Sequence, residues 1–373
     1  MPAAEPARRV LLAPVTVTPT KPLTPSHLKG LLWTDVMFRA TGRVAEVTYR
    51  CSPTTYHPTE QTVGFWEHLD RTVGDVDWSE RSEEDIGELY VGFRGCGERP
   101  TVDACRPYLD AVEQGWVHPA SARVLELWAQ SYGRLGMHDP GLTEHQPPGM
   151  ELAEAIDRVA AVGMILDTRP DGGPVYLDAT ADGIPLRRLV SEEGRPNYLA
   201  CALRELVPLC ADSRYDDVVL LHDPELEQDY LVLQRVLGRL GVRAHRVPVG
   251  RVPIEGKVRS ARHGDWRGHT AGALLEAIGD DWEDPVVRLG TRLYFIAMLG
   301  PGDQTSFRPA LLRRSLQRAA KLLAAPGRGG DAGAYLDEQV GADGYVDPYR
   351  LTSQLLARRT RAPVQALAAE VFT

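Results

Sequence analysis

The sequence predicts an α/β fold, a Rossmann-like doubly wound parallel sheet with an inserted segment and a small helical C-terminal domain. Three observations predict it. A strand–helix–strand unit opens the chain, and such units place strands in parallel with a right-handed crossover. A second unit of the same kind runs from about residue 197 to 249. A compact turn rich in Pro, Ser and His joins the first strand to its helix, and a basic turn follows the last strand; ligands of open α/β sheets bind at such carboxyl-end turns.

Residues 10–17 read as a strand with a proline interruption. Residues 28–39 carry Leu28, Leu32 and Val36 at the spacing of one helix face, and Thr41-Gly42 supplies a stop. Residues 44–49 form the next strand. Residues 52–148 are rich in Gly, Pro and acidic residues, with helical stretches at 102–114 and 121–135; this segment reads as an insertion covering the first half of the sheet. A helical period over 150–166 puts Leu152, Ile156 and Val159 on one face. Asn197 caps a helix over 198–210. Residues 217–222 are a buried-type strand, 224–240 a helix with Pro224 in its first turn and Gly241 at its end, and 243–249 a further strand. Helices follow at 271–278, 285–299 and 309–325, then a Gly-rich linker at 326–333. The expected division is a Rossmann-like domain over 1–290 and a small helical domain over 291–373.

Hydrophobic content of 43% and charged content of 25% describe an ordinary globular chain. No run of about 18 apolar residues suits a membrane span, and residues 1–9 lack the apolar core of a secretory signal. Five cysteines without CxxC spacing read as free thiols of a cytoplasmic protein. A net charge of −9 argues against a protein that coats DNA. The charge is uneven: no Asp or Glu lies between Asp303 and Asp331, and Arg314, Arg318 and Lys321 share one helical stripe. That stripe is either a solvated face or a docking face for phosphate-bearing ligands. His263 and His269 flank Asp265 at a spacing that fits no common zinc signature, so no metal site is expected.

The turn Lys21-Pro22-Leu23-Thr24-Pro25-Ser26-His27-Leu28-Lys29-Gly30 places backbone N–H groups and a helix's positive end side by side, a geometry that suits phosphate. Some 230 residues later comes Gly256-Lys257-Val258-Arg259-Ser260-Ala261-Arg262. In order and spacing these segments resemble the two signatures of class I aminoacyl-tRNA synthetases, HIGH and KMSKS, and most resemble the arginyl type, where Lys-Pro-Leu precedes the first. Gly194-Arg195-Pro196-Asn197-Tyr198-Leu199 and Leu221-His222-Asp223 with Tyr230 look like further segments of that catalytic domain. The likeness spans about residues 10–325. The chain departs from it in several places. Thr24 and Ser26 stand where the first signature has histidine and the glycine against which adenine packs. Cys201-Ala202 stands where the arginyl type has its arginine-binding pair. The tRNA-reading domains have little or no room.

The resemblance implies a class I synthetase-type fold and ATP with Mg²⁺ as cofactors. His27, Lys21 and Lys257 would be catalytic. Thr24, Ser26, His27, Gly30, Arg259, Ser260 and Arg262 would bind ATP. Such chemistry needs positioned cations rather than a protein nucleophile. Tyr56, Tyr198 and Asp223 are the candidate substrate-binding residues; Asp223 would hold an α-amino group or cap the helix that starts at Pro224. The leading expectation is an ATP-dependent ligase that activates an amino acid or related carboxylate as an adenylate and passes it to a small-molecule acceptor. Three alternatives stand beside it: a non-catalytic relative, a genuine tRNA-charging enzyme, and a nucleotidyl transferase.

Overall fold

The computed structural model describes residues 8–97, 99–211, 214–258, 264, 266–279, 281–325, 330–357 and 360–372. Its centre is a parallel four-stranded sheet. Strand β1 (Arg9–Pro14) feeds helix α1 (Pro25–Thr41), which returns to β2 (Glu46–Tyr49). Pro25 at the first turn and a Thr24–His27 capping box start α1. The insertion is entirely helical in its regular parts: α2 (Pro53–Tyr56), α3 (Glu60–Thr72), α4 (Glu83–Gly95), α5 (Val102–Glu113) and α6 (Pro119–Leu135). Helix α7 (Leu152–Ala161) then leads into an antiparallel sheet of β3 (Ile165–Asp167), β4 (Val175–Leu177) and β5 (Arg187–Val190). Helix α8 (Tyr198–Leu209), β6 (Asp217–His222), α9 (Glu227–Arg239) and β7 (Arg243–Pro248) complete the second unit.

The main sheet runs β2-β1-β6-β7. Chain progression therefore moves outward from β1 on one side and from β6 on the other, which makes the β1–β6 boundary the topological switch point. Pro14 pairs with Leu221 there, at the carboxyl end of both strands. The two faces alternate by residue. Val10, Leu12, Val219 and Leu221 enter one core with α1 and α3. Leu11, Ala13, Val218 and Leu220 enter the other, with α8 and α9. Period-two alternation with both faces apolar is what a doubly wound sheet requires.

Helices α10 (Ala271–Ile278), α11 (Asp284–Arg292), α12 (Pro309–Ala324), α13 (Ala332–Asp337), α14 (Pro348–Leu356) and α15 (Val364–Leu367) follow. A π-helical turn over Leu293–Met298 extends α11. These helices share the first core with α1. One buried ion pair fastens them: Arg292 donates to Asp35 at 2.6 Å and to the carbonyls of Leu135, Arg288 and Gly136. Asp35 also accepts from Arg39 and from the His138 N–H. Among the described residues, no helix is long and apolar enough to cross a membrane.

Candidate functional site

At the switch point lies a pocket of about 300 Å³. Residues 14–18, which continue β1, form its floor, and the amino end of α1 forms one wall. The opposite wall is Leu221, His222 and Asp223 at the end of β6, with Val249 and Arg251 after β7. Gln61 of α3 and Tyr198 of α8 close a side.

The loop before α1 is held in place by burial. The Leu23 N–H and the Trp128 indole both donate to Glu83, whose carboxyl is pushed up to about 7 by burial. A Cβ on Gly87 would meet Pro22 at 2.6 Å and Trp266 at 2.7 Å, so only glycine lets α4 approach this loop. Lys21 is buried, 3.4 Å from the Thr18 hydroxyl and over the ring of Tyr90. The Thr24 N–H donates to Nδ1 of His27 at 3.1 Å. In the neutral ring the proton therefore sits on Nε2. Burial, then the positive charges of Lys21 and Arg251, lower the His27 pKa to about 3, and a ring bond to the Pro22 backbone opposes the lowering. His27 is thus a neutral donor at physiological pH.

Ser26 faces across the pocket mouth. Its hydroxyl accepts from the Val252 N–H at 3.0 Å and donates to the Val252 carbonyl at 3.4 Å. Gly30, one turn further along α1, has nothing within 4 Å of where a Cβ would stand. Asp223 does two things: it caps the turn at Glu225 (3.0 Å) and pairs with Arg251 (3.2 Å). Arg251 also pairs with Glu225 at 2.7 Å. The described pocket thus holds two cations, Lys21 and Arg251, and two carboxylates. The Tyr198 hydroxyl accepts from the Thr16 N–H and donates to the Thr16 carbonyl.

The sequence-derived candidates divide. Lys21, Thr24, Ser26, His27, Gly30, Tyr198 and Asp223 all line this one pocket. Tyr56 stands behind it, 3% exposed and stacked on Tyr198 at 4.3 Å, so it supports the wall without lining it. Lys257 also lies outside the lining: Ile254 and Lys257 pair across a tight Glu255-Gly256 turn, and Lys257 is exposed. Arg259, Ser260 and Arg262 lie outside the described residues. The cation brought to the pocket from the C-terminal half is Arg251, which sequence reasoning missed. Its one signal was a lone Arg two residues past a strand at a carboxyl end. Cys201 and Ala202 are buried in α8, so neither side chain offers a partner to a guanidinium.

Comparison with solved structures gives this geometry a context. The arginyl-tRNA synthetase of Thermus thermophilus superposes on 98% of this chain and 74% of its own, with TM-score 0.62 and 16% identity. The arginyl-tRNA synthetase of Plasmodium falciparum covers 87% of this chain and 58% of its own, with TM-score 0.55 and 11% identity. The chain has the fold of an arginyl-tRNA synthetase. No protein-family model matches the sequence, and no curated protein matches it. The likeness is one of fold.

Proposed function

We propose that the chain is an ATP-dependent, adenylate-forming ligase. It would activate an amino acid or related carboxylate with ATP and Mg²⁺, release pyrophosphate and pass the acyl group to a small-molecule acceptor. Its setting would be specialised biosynthesis in the cytoplasm. The observation that carries this reading is the convergence of Lys21, His27 and Arg251, from both halves of the chain, on one crevice at the switch point.

In this reading a carboxylate oxygen of the acid attacks the α-phosphorus of ATP. One O–P bond forms and the bond to pyrophosphate breaks. The neutral His27 donates its Nε2–H to an α-phosphate oxygen, and Lys21 stabilises charge on the phosphate chain. Arg251 adds charge once a phosphate competes with Asp223 and Glu225. Lys257, Arg259, Ser260 and Arg262 belong to the same proposal, as groups of the following turn that would meet the β- and γ-phosphates. Mg²⁺ would arrive on the nucleotide and bridge its phosphates. The family's Arg-Asp pair is replaced by Cys201-Ala202, which argues for an acid other than arginine.

The test is ATP–pyrophosphate exchange by the full chain against the twenty amino acids and a set of related acids. Exchange with one acid, lost in His27→Ala, supports the reading. No exchange with any acid counts against it. One observation favours a second reading, a relative that keeps the fold without the chemistry: the Ser26 hydroxyl already occupies both polar groups of Val252 at the pocket mouth. Charging of tRNA is a weaker candidate, because Arg318 of the basic α12 stripe is tied to the carbonyls of Leu355 and Ala357.

A further inference from the structure

A second, larger cleft of about 650 Å³ adjoins the first and shares two of its lining residues, Gln61 and Tyr198. The partition between them is held by side-chain bonds to the residues that follow β1. Gln61 donates to the Thr18 hydroxyl at 2.5 Å, and Tyr198 is locked to both polar groups of Thr16. A ligand in this cleft would therefore lie one side chain away from a ligand in the first pocket.

The charges of the cleft come from Glu60, Arg99, Arg188, Glu192, Glu193 and Arg195. Most are paired internally. Arg99 meets Glu60 at 2.8 Å; Arg195 meets Glu193 at 3.3 Å and Glu60 at 3.7 Å. Two are not: Arg188 and Glu192 are exposed and have no ion-pair partner among the described residues. One unpaired guanidinium and one unpaired carboxylate in the cleft lining match a ligand that carries an acid group and an amine. The start of α3 favours the acid group further. Thr59, Thr101 and Asn197, the residues that begin α3, α5 and α8, all line the cleft. Thr59 makes no side-chain cap, so the first amides of α3 have no side-chain acceptor.

We infer that this cleft is the acceptor subsite and that the acceptor is an amine carrying a carboxylate or phosphate, its acid group held by Arg188. This rests on the adenylate-forming reading. The amine nitrogen attacks the acyl carbon of the adenylate across the Gln61–Tyr198 partition. A C–N bond forms, the C–O bond to the AMP phosphate breaks with its electron pair going to the phosphate, and the nitrogen's surplus proton passes to water.

The test is ligand-observed NMR by saturation transfer on the full chain. The probes are the twenty amino acids and O-phosphoethanolamine, with ethanolamine as the probe that lacks the acid group. The expected result is signal from at least one acid-bearing amine, none from ethanolamine, a loss of tenfold or more in affinity in Arg188→Glu, and retention in Arg188→Lys. The amino acid and phosphoethanolamine arms separate carboxylate from phosphate recognition. An amino acid held only in the first pocket would be indifferent to residue 188. The inference is overturned if no acid-bearing amine gives signal, or if Arg188→Glu binds as the unaltered chain does. Binding that depends on Arg188 without any pyrophosphate exchange would uphold the cleft and reject the adenylate chemistry.

Discussion

His57 gives the chain an acid-labile point whose size follows from its surroundings. It closes α2 directly after Tyr56, is 1% exposed, and neither ring nitrogen has a hydrogen-bond partner. Trp66 meets it edge-on at 5.2 Å. Burial, with a smaller contribution from His145, lowers its pKa to about 3. The unfolded chain takes up this proton near the ordinary histidine value of about 6.5, and the folded chain does not until about pH 3. Between those values the unfolded state binds more protons, so stability falls as pH falls. The slope is about 1.36 kcal/mol per pH unit, which makes about 2 kcal/mol between pH 6.5 and pH 5. His57→Phe removes this loss and leaves no unpaired ring nitrogen. Urea denaturation at pH 7 and pH 5 measures it: the gap between variant and unaltered chain should change by about 2 kcal/mol in favour of the variant at pH 5. Equal pH dependence in the two proteins would refute the reasoning.

Three other substitutions probe the frame around the pocket. Arg292→Met leaves Asp35 buried with only Arg39 and the His138 N–H, and should cost about 3–5 kcal/mol in urea denaturation, with most of it recovered in Asp35→Leu plus Arg292→Met; a single-variant cost under about 1 kcal/mol would show the pair to be incidental. Thr24→Ala removes the α1 cap and one partner of the His27 ring, with an expected loss of about 1 kcal/mol by the same assay. Ser26→Gly deletes the bonds to Val252, should cost about 0.5–1.5 kcal/mol of stability, and should tighten MgATP binding; weaker binding would show that the hydroxyl does not obstruct the nucleotide.

The sheet was readable where burial leaves no ambiguity. Asp217–His222 carries the unbroken apolar run Val218–Leu221, and its bounds are those expected. Ala271–Ile278 was equally plain, with Thr270 as cap and Gly279 as stop. Helices α3 and α4 were hidden because Gly64, Gly87, Gly92 and Gly95 interrupt their apolar period, although Gly87 is there for the contact with Pro22 and Trp266. The strands β3 to β5 are only three or four residues long, too short to show alternation. At the pocket, residues 21–30 were legible because one helix start supplies them all. Arg251 was not, because its place depends on how far the chain runs past β7 before turning. The same turn carries Lys257 outward, since Ile254 and Lys257 bond to each other. Nor could sequence show that Tyr56 buttresses Tyr198, which depends on α2 packing against α8.

The central claim is that Lys21, His27 and Arg251 together hold a polyphosphate. Calorimetric titration of the full chain with MgATP, beside Lys21→Met, tests it most directly. The account predicts one equivalent bound by the unaltered chain and at least tenfold weaker binding in the variant, from the loss of a charge-assisted contact worth about 1.5–3 kcal/mol. Binding that ignores residue 21, or no binding even in Ser26→Gly, would contradict it.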